Sequence, residues 1–203
     1  MQLVIATSSE QKRNEIAALL SEIPDLKVLS LRDFGPITEP EETGASMREN
    51  ARLKAEYYAQ VTKLPTLADD SGIEVSILDD APGIYSARWI AGSDGDRTRA
   101  LLERMKNVPE ENRTARYRCA LCFVNATQST LIELEATCEG RIAQKARGEN
   151  GFGYDPIFEL TTGSGAPLEW VGQTMAQAPP EIKALISHRA RAVRLLAEHL
   201  KPR

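Results

Sequence analysis

The chain has 203 residues, 42% of them hydrophobic and 27% charged, with a formal net charge of −4. These are the proportions of an ordinary globular protein long enough to bury a core, and they exclude disordered, collagen-like and disulfide-scaffold classes. The net negative charge argues against a general nucleic-acid binder, which needs a basic face, though not against a small anionic substrate, and no run of residues approaches the roughly 18 apolar positions of a membrane span.

The N-terminus enters Leu3-Val4-Ile5 directly, with no signal-peptide pattern, so a cytoplasmic location is expected. Residues 2–6 read as a short buried strand. Apolar positions at Ile16, Leu19, Leu20 and Ile23 then follow the i, i+3, i+4, i+7 spacing of one helix face. Ser8 with Gln11 fits a capping box, which predicts a helix beginning near Ser9. A strand feeding a helix N-terminus is a layout that collects phosphate groups, and Lys12 lies within reach of one there.

Ser46 and Glu49 predict a second capping box, opening a helix to about Thr62. Pro65–Ala68 reads as a short strand, Asp69-Asp70-Ser71-Gly72 as an acidic turn, and Ile73, Val75 and Ile77 as a further alternating strand. Helical character returns around residues 97–105, and 117–124 and 131–138 read as adjacent strands. Cys119 and Cys122 have C-x2-C spacing, but residues three apart on a strand point to opposite faces and cannot chelate one ion. Buried free thiols are expected instead.

A loop-like stretch runs to Pro179. One last helix is then predicted from Pro180, striped by Ile182, Leu185, Ile186, Val193, Leu196, Ala197 and Leu200. Strands and helices interleave throughout, which gives an α/β class with a mixed sheet.

Several clusters carry chemistry by residue type. Asp69 and Asp70 follow an apolar strand, where carboxylates hold Mg²⁺ or act as a general base, although Asp-Asp-Ser-Gly is equally good turn chemistry. Glu41 and Glu42 precede the second helix, where a carboxylate either caps or ligates. Gly148, Gly151 and Gly153 surround Phe152, an aromatic that such a loop can present to a base. Lys183, Ser187, His188 and Arg189 sit on the final helix, as its wet side or as a reader of phosphates and a purine carbonyl.

Taken in order, these runs resemble the inosine/xanthosine triphosphate pyrophosphatase family. The matching segments are Ala6-Thr7 with Lys12 and Glu15, Glu41-Glu42-Thr43-Gly44, Glu49-Asn50-Ala51 with Lys54-Ala55, Ala68-Asp69-Asp70-Ser71-Gly72, Ala81–Arg88, Gly151–Phe158 and Ile186–Ala190. The resemblance implies one domain over 1–203, a mixed twisted sheet flanked by helices with two lobes around a central cleft, and a homodimer. It implies Mg²⁺-dependent hydrolysis of ITP, dITP and XTP to the monophosphate and pyrophosphate, which cleans the nucleotide pool. No nucleic-acid or membrane partner is implied.

By the same resemblance, Thr7, Ser8, Ser9, Glu10, Gln11 and Lys12 hold the triphosphate. Glu42 and Asp70 are the magnesium carboxylates, Asp70 is also the proton acceptor, Asp69 supports it, and Ser71 touches substrate. Phe152, Gly153, Tyr154 and Asp155 line the base pocket, and Lys183, His188 and Arg189 recognise the 6-oxo purine. Two departures stand out. Ser9 replaces the family's asparagine, which keeps a shifted substrate preference in play. The segment 161–173, with Trp170, is expected to decorate the surface. A non-catalytic nucleotide binder is the remaining alternative.

Overall fold

The structure, a computed structural model, describes residues 1–200. Among them are five α-helices and a six-stranded sheet. The strands are β1 (Gln2–Ile5), β2 (Lys27–Ser30), β3 (Thr66–Val75), β4 (Thr114–Val124), β5 (Leu131–Ile142) and β6 (Phe158–Leu160). The helices are α1 (Glu10–Leu20), α2 (Met47–Thr62), α3 (Asp94–Arg104), α4 (Pro180–Ile186) and α5 (His188–Leu200). The strand order is β2-β1-β3-β4-β5-β6. β1 pairs in parallel with both β2 and β3, whereas β5 and β6 are antiparallel, so the sheet is mixed as expected.

The chain divides into two compact units, each with its own core. The first comprises Met1–Asp70, Cys119–Ala136 and the described residues from Arg189 onward; the second comprises Ser71–Arg118 and Thr137–His188. In the first, Leu3, Ile5, Ile16, Leu20, Leu67, Leu121, Val193 and Leu196 pack together. In the second, Ile73, Val75, Leu101, Met105, Ile157, Phe158 and Ile186 do so. Each such aliphatic or aromatic side chain contributes about 1.5–3 kcal/mol by leaving water.

Three sequence expectations give way to tertiary packing. The acidic turn does not exist: β3 runs unbroken through Asp69, Asp70, Ser71 and Gly72, because the strand is buried on both sides there and its carboxylates have partners. Ile77, expected in a strand, lies in a 3-10 turn and is exposed. The single final helix is two helices, broken at Ser187, whose ψ of 152° is extended. The apolar stripe is real but serves two cores, with Ile186 in the second unit and Val193 and Leu196 in the first, while Leu185 is exposed.

The segment 161–173 is more than decoration. Ala166 and Trp170 pack on the second core, Ser164 is buried, and at the segment's return the Leu160 N–H donates to the Gln173 carbonyl while the Gly172 N–H donates to the Leu160 carbonyl. Leu168 alone among its large apolar side chains is strongly exposed.

Candidate active site

In the first unit, β1 runs through α1 to β2 on one side of it, and the chain then returns through α2 to β3 on the other side. The C-terminal ends of β1 and β3 therefore flank a point where strand order reverses, the place where open α/β sheets bind ligands. β1 pairs with β3 only through Val4–Thr66 and Ile5–Leu67. The Ala6 N–H still donates to the Leu67 carbonyl at 2.7 Å, and each strand then leads into polar residues: Thr7–Lys12 from β1, Asp69 and Asp70 within β3.

The cap of α1 is Ser9, not Ser8. Its backbone is extended and its hydroxyl accepts from the Lys12 N–H, while Thr7 Oγ1 accepts from the Ser9 N–H. Serine and asparagine are both favoured at this position, so the departure at Ser9 preserves the helix start. Glu10 and Gln11 are exposed, and Glu10 pairs with Arg13 and Arg32. Thr7 and Ser8 also line a cavity of about 220 Å³ with Arg13, Ser30, Arg32 and Tyr58.

Consecutive residues on a strand point to opposite faces, so Asp69 and Asp70 meet different partners. Asp69 is fully buried; its Oδ2 lies 3.2 Å from Lys12 Nζ and 3.4 Å from Arg189 Nε. Arg189, itself 2% exposed, also pairs with Glu15 at 2.5 Å. Burial pushes the Asp69 carboxyl up, but Lys12, Arg189 and Lys54 outweigh it and hold the group well below the usual carboxylate range. Burial and the two carboxylates act against each other on Arg189 likewise, and the carboxylates prevail, keeping it charged.

Asp70 behaves in the opposite way. Its Oδ2 accepts from Asn50 Nδ2 at 3.1 Å and its Oδ1 lies 3.5 Å from Lys54 Nζ. Burial raises its carboxyl, and Lys54, Lys12 and the Asn50 amide only partly offset that, with Glu42 adding to the rise. Neighbouring carboxylates with pKa values driven apart are a mark of acid–base assignment, one fixed as a charge and the other able to take a proton.

Glu42 joins through Lys54, whose Nζ is 2.9 Å from Glu42 Oε1. Burial lowers the Lys54 pKa, yet Asp70, Asp69 and Glu42 raise it overall, so the ammonium is retained. Asn50 completes the link: its Oδ1 accepts the Gly44 N–H at 2.9 Å while its Nδ2 serves Asp70. A Cβ on Gly44 would lie 2.7 Å from that Oδ1, so the loop carrying Glu42 closes onto α2 only with glycine there. The second capping box is half formed: Ser46 caps the Glu49 N–H, but the Glu49 carboxylate accepts from Ala45.

Two carboxylate oxygens, Glu42 Oε1 and Asp70 Oδ1, thus converge on the Lys54 ammonium, at 2.9 Å and 3.5 Å. That donor set fits Mg²⁺, which is commonly held by one or two carboxylates together with substrate phosphates rather than by an all-protein cage.

In the second unit, Asp155 is buried and organises its neighbours. Its Oδ2 accepts from Lys183 Nζ at 2.6 Å and from the Phe152 N–H at 2.9 Å, and its Oδ1 from Tyr117 at 3.1 Å. Lys183 Nζ also sits 4.4 Å from the Phe152 ring centre, a cation–π contact. Gly151 has φ +76°, and a Cβ there would lie 2.0 Å from Asp155 Oδ2, which explains the glycine. Gly153 donates its N–H to Asp94 on α3. Tyr154, expected to line a pocket, points into the core, and its hydroxyl donates to the Ser86 carbonyl.

His188 stacks on Tyr117 with ring centres 4.7 Å apart. The expected trio of Lys183, His188 and Arg189 is divided: the first two belong to the second unit, and Arg189 belongs with Asp69 and Glu15. Ser71 opens the second unit and is half-buried. Lys54, Asn50, Glu15 and Tyr117 were not singled out by residue type alone. A buried asparagine four residues before a lysine on one helix face was the available signal for the first two.

The family model of the Ham1 family matches residues 3–199. The chain belongs to the Ham1 family. The dITP/XTP pyrophosphatase of Geobacter sulfurreducens is 43% identical over 202 residues, covering 98% of this chain and 96% of that protein. The protein of the same name from Escherichia coli K12 is 41% identical, covering 98% of each. Among solved structures, a HAM1 protein from Coxiella burnetii superposes with a TM-score of 0.85 at 33% identity, covering 98% of both chains. The Staphylococcus aureus Ham1 protein gives 0.84 at 36% identity, with the same coverage. The Ham1 fold therefore accounts for the whole mixed sheet.

Proposed function

We propose that this Ham1-family chain acts as one domain that hydrolyses non-canonical purine nucleoside triphosphates, ITP, dITP and XTP, to the monophosphate and pyrophosphate. The observation that carries the reading is the opposed pair Asp69 and Asp70: one carboxylate is locked between Lys12 and Arg189, while its neighbour meets Asn50 and Lys54, the lysine that also holds Glu42. A pure binding protein has little use for that difference, whereas hydrolysis needs a base to take a proton from water.

Asp70 would accept that proton as water attacks the α-phosphorus. Lys12, held by Asp69, and Lys54 offer positive charge to the leaving pyrophosphate, and the N–H groups at the start of α1 add to it. Thr7, Ser8 and Ser9 form the rest of the phosphate loop, with Ser71 as a further substrate contact, while Glu10 and Gln11, being exposed, take the outer side. A magnesium ion held by Glu42 and Asp70 would neutralise polyphosphate charge when bound.

Phe152 stacks on the base, while Lys183 and His188 supply the positive charge and donors that a 6-oxo purine accepts. Against adenine's amino group the same donors would go unpaired, a mismatch that discriminates strongly. Arg189 takes the supporting role for Asp69. From the family resemblance we also propose a homodimer working in the cytoplasm.

Incubation with ITP and Mg²⁺ should release pyrophosphate; orthophosphate alone, or no turnover, overturns the reading. Replacing Asp70 with Asn should lower kcat about 10²–10⁴-fold, with a much smaller change in nucleotide binding. A panel of ITP, XTP, dITP, GTP and UTP compared by kcat/KM separates this preference from a shifted one.

A further inference from the structure

We propose that Tyr117 is a positioning residue for base recognition, fixing His188 through its ring and Lys183 through its hydroxyl. The proposal rests on the reading of Phe152, Lys183 and His188 as the base-recognising group.

The geometry divides that group by its supports. Phe152 is carried on a loop, Lys183 on the seven-residue α4, and His188 immediately after the break at Ser187. A loop and two helix ends depend on the side chains packed against them, and a binding group needs its rotamers locked by such packing to hold its geometry. Tyr117 lies in the eleven-residue β4 and is 7% exposed. Its ring is 4.7 Å from that of His188 at an interplanar angle of 13°, and its other contact, Phe158, is 4.5 Å away and tilted at 42°. The imidazole plane is thereby set by a strand residue.

The hydroxyl governs the second member. It donates to Asp155 Oδ1 at 3.1 Å, leaving Oδ2 to Lys183 Nζ and the Phe152 N–H. With both oxygens engaged the carboxylate cannot rotate, and Lys183 stays between it and the Phe152 ring. Burial, and then the Asp155 charge, push the phenol far above its ordinary range, so it remains a donor at any working pH. One phenol therefore couples the orientations of the two donors assigned to the purine carbonyl.

Two variants test this. Tyr117→Phe keeps the ring and deletes the hydroxyl; Tyr117→Leu deletes both. Loss of positioning weakens binding more than it slows chemistry, so KM for ITP should rise about threefold in the first and about tenfold in the second, with kcat within about threefold of wild type. An unchanged KM in both, or a fall in kcat that accounts for the whole loss, overturns the proposal. Should Tyr117→Leu fail to fold, an unchanged KM in Tyr117→Phe is itself decisive against it.

A nucleotide-free readout separates this proposal from the functional reading. The chain has two histidines, His188 and His199, so imidazole NMR signals are few. The His188 ring protons should carry a ring-current shift that Tyr117→Phe retains and Tyr117→Leu loses, with His199 unmoved. If the wild type does not hydrolyse ITP, the functional reading fails while the His188 shift still reports the stacking. If Tyr117→Leu leaves His188 unshifted, the positioning role fails whatever the enzyme does.

Discussion

Replacing Asp69 with Asn tests the charge network directly. The substitution keeps the volume and one carbonyl acceptor but removes the buried negative charge that faces Lys12 at 3.2 Å and Arg189 at 3.4 Å. Breaking a buried pair by removing one partner costs about 3–5 kcal/mol, because the other charge is left uncompensated. Here Arg189 retains Glu15, and the Lys12 side chain is 20% exposed to water, so the lower end, about 3 kcal/mol, applies. For a chain of this length that corresponds to a fall in Tm of about 6–12 °C.

The pH dependence follows from the sign of the shift. Asp69 in the folded protein titrates well below its unfolded value of about 3.9. Its contribution is therefore complete above that unfolded value and is lost as pH falls toward the lowered folded one. Differential scanning calorimetry of both proteins from pH 7 to pH 2 should show a constant gap down to about pH 5 and a narrowing gap below about pH 4. Equal Tm values at pH 7, or a gap that stays constant to pH 2, would refute the reasoning.

Other expectations follow from neighbouring contacts. Carbon-13 NMR of the aspartate side chains should find Asp70 titrating above the ordinary range and Asp69 below it, and Lys54→Met should raise Asp70 further, since Lys54 is the largest of the influences lowering it. Gly151→Ala should cost about 1–3 kcal/mol of stability and weaken ITP binding, because a left-handed φ and a Cβ at 2.0 Å from Asp155 Oδ2 are both disfavoured. Cys119 and Cys122, whose thiols burial pushes up to about 12, should resist a thiol reagent in the native protein and react on unfolding. Rapid native labelling would show that β4 opens more readily than its burial indicates.

Much of the molecule was legible from residue order. The periods of α1, the Ser46 start of α2 and the strands β4 and β5 are local patterns, and Cys119 and Cys122 are buried free thiols on β4 as their strand context predicts. β2 and β6, four and three residues long, carry too little periodicity to be read before their sheet partners are known. The final helix misled for a related reason: a single apolar stripe cannot reveal that its halves enter different cores, so the break at Ser187 was invisible.

Asp69 and Asp70 mark the boundary most clearly. Residue order suffices to show two adjacent carboxylates after an apolar strand, and runs around them that match one family along almost the whole chain. That they continue the strand instead of turning follows from packing on both sides of β3. Strand alternation then sends one to Lys12 and Arg189 and the other to Asn50 and Lys54. Those partners come from α1, α5 and α2, up to 120 residues away in the chain. Proton affinity is set by such through-space charge and burial, which residue order does not contain.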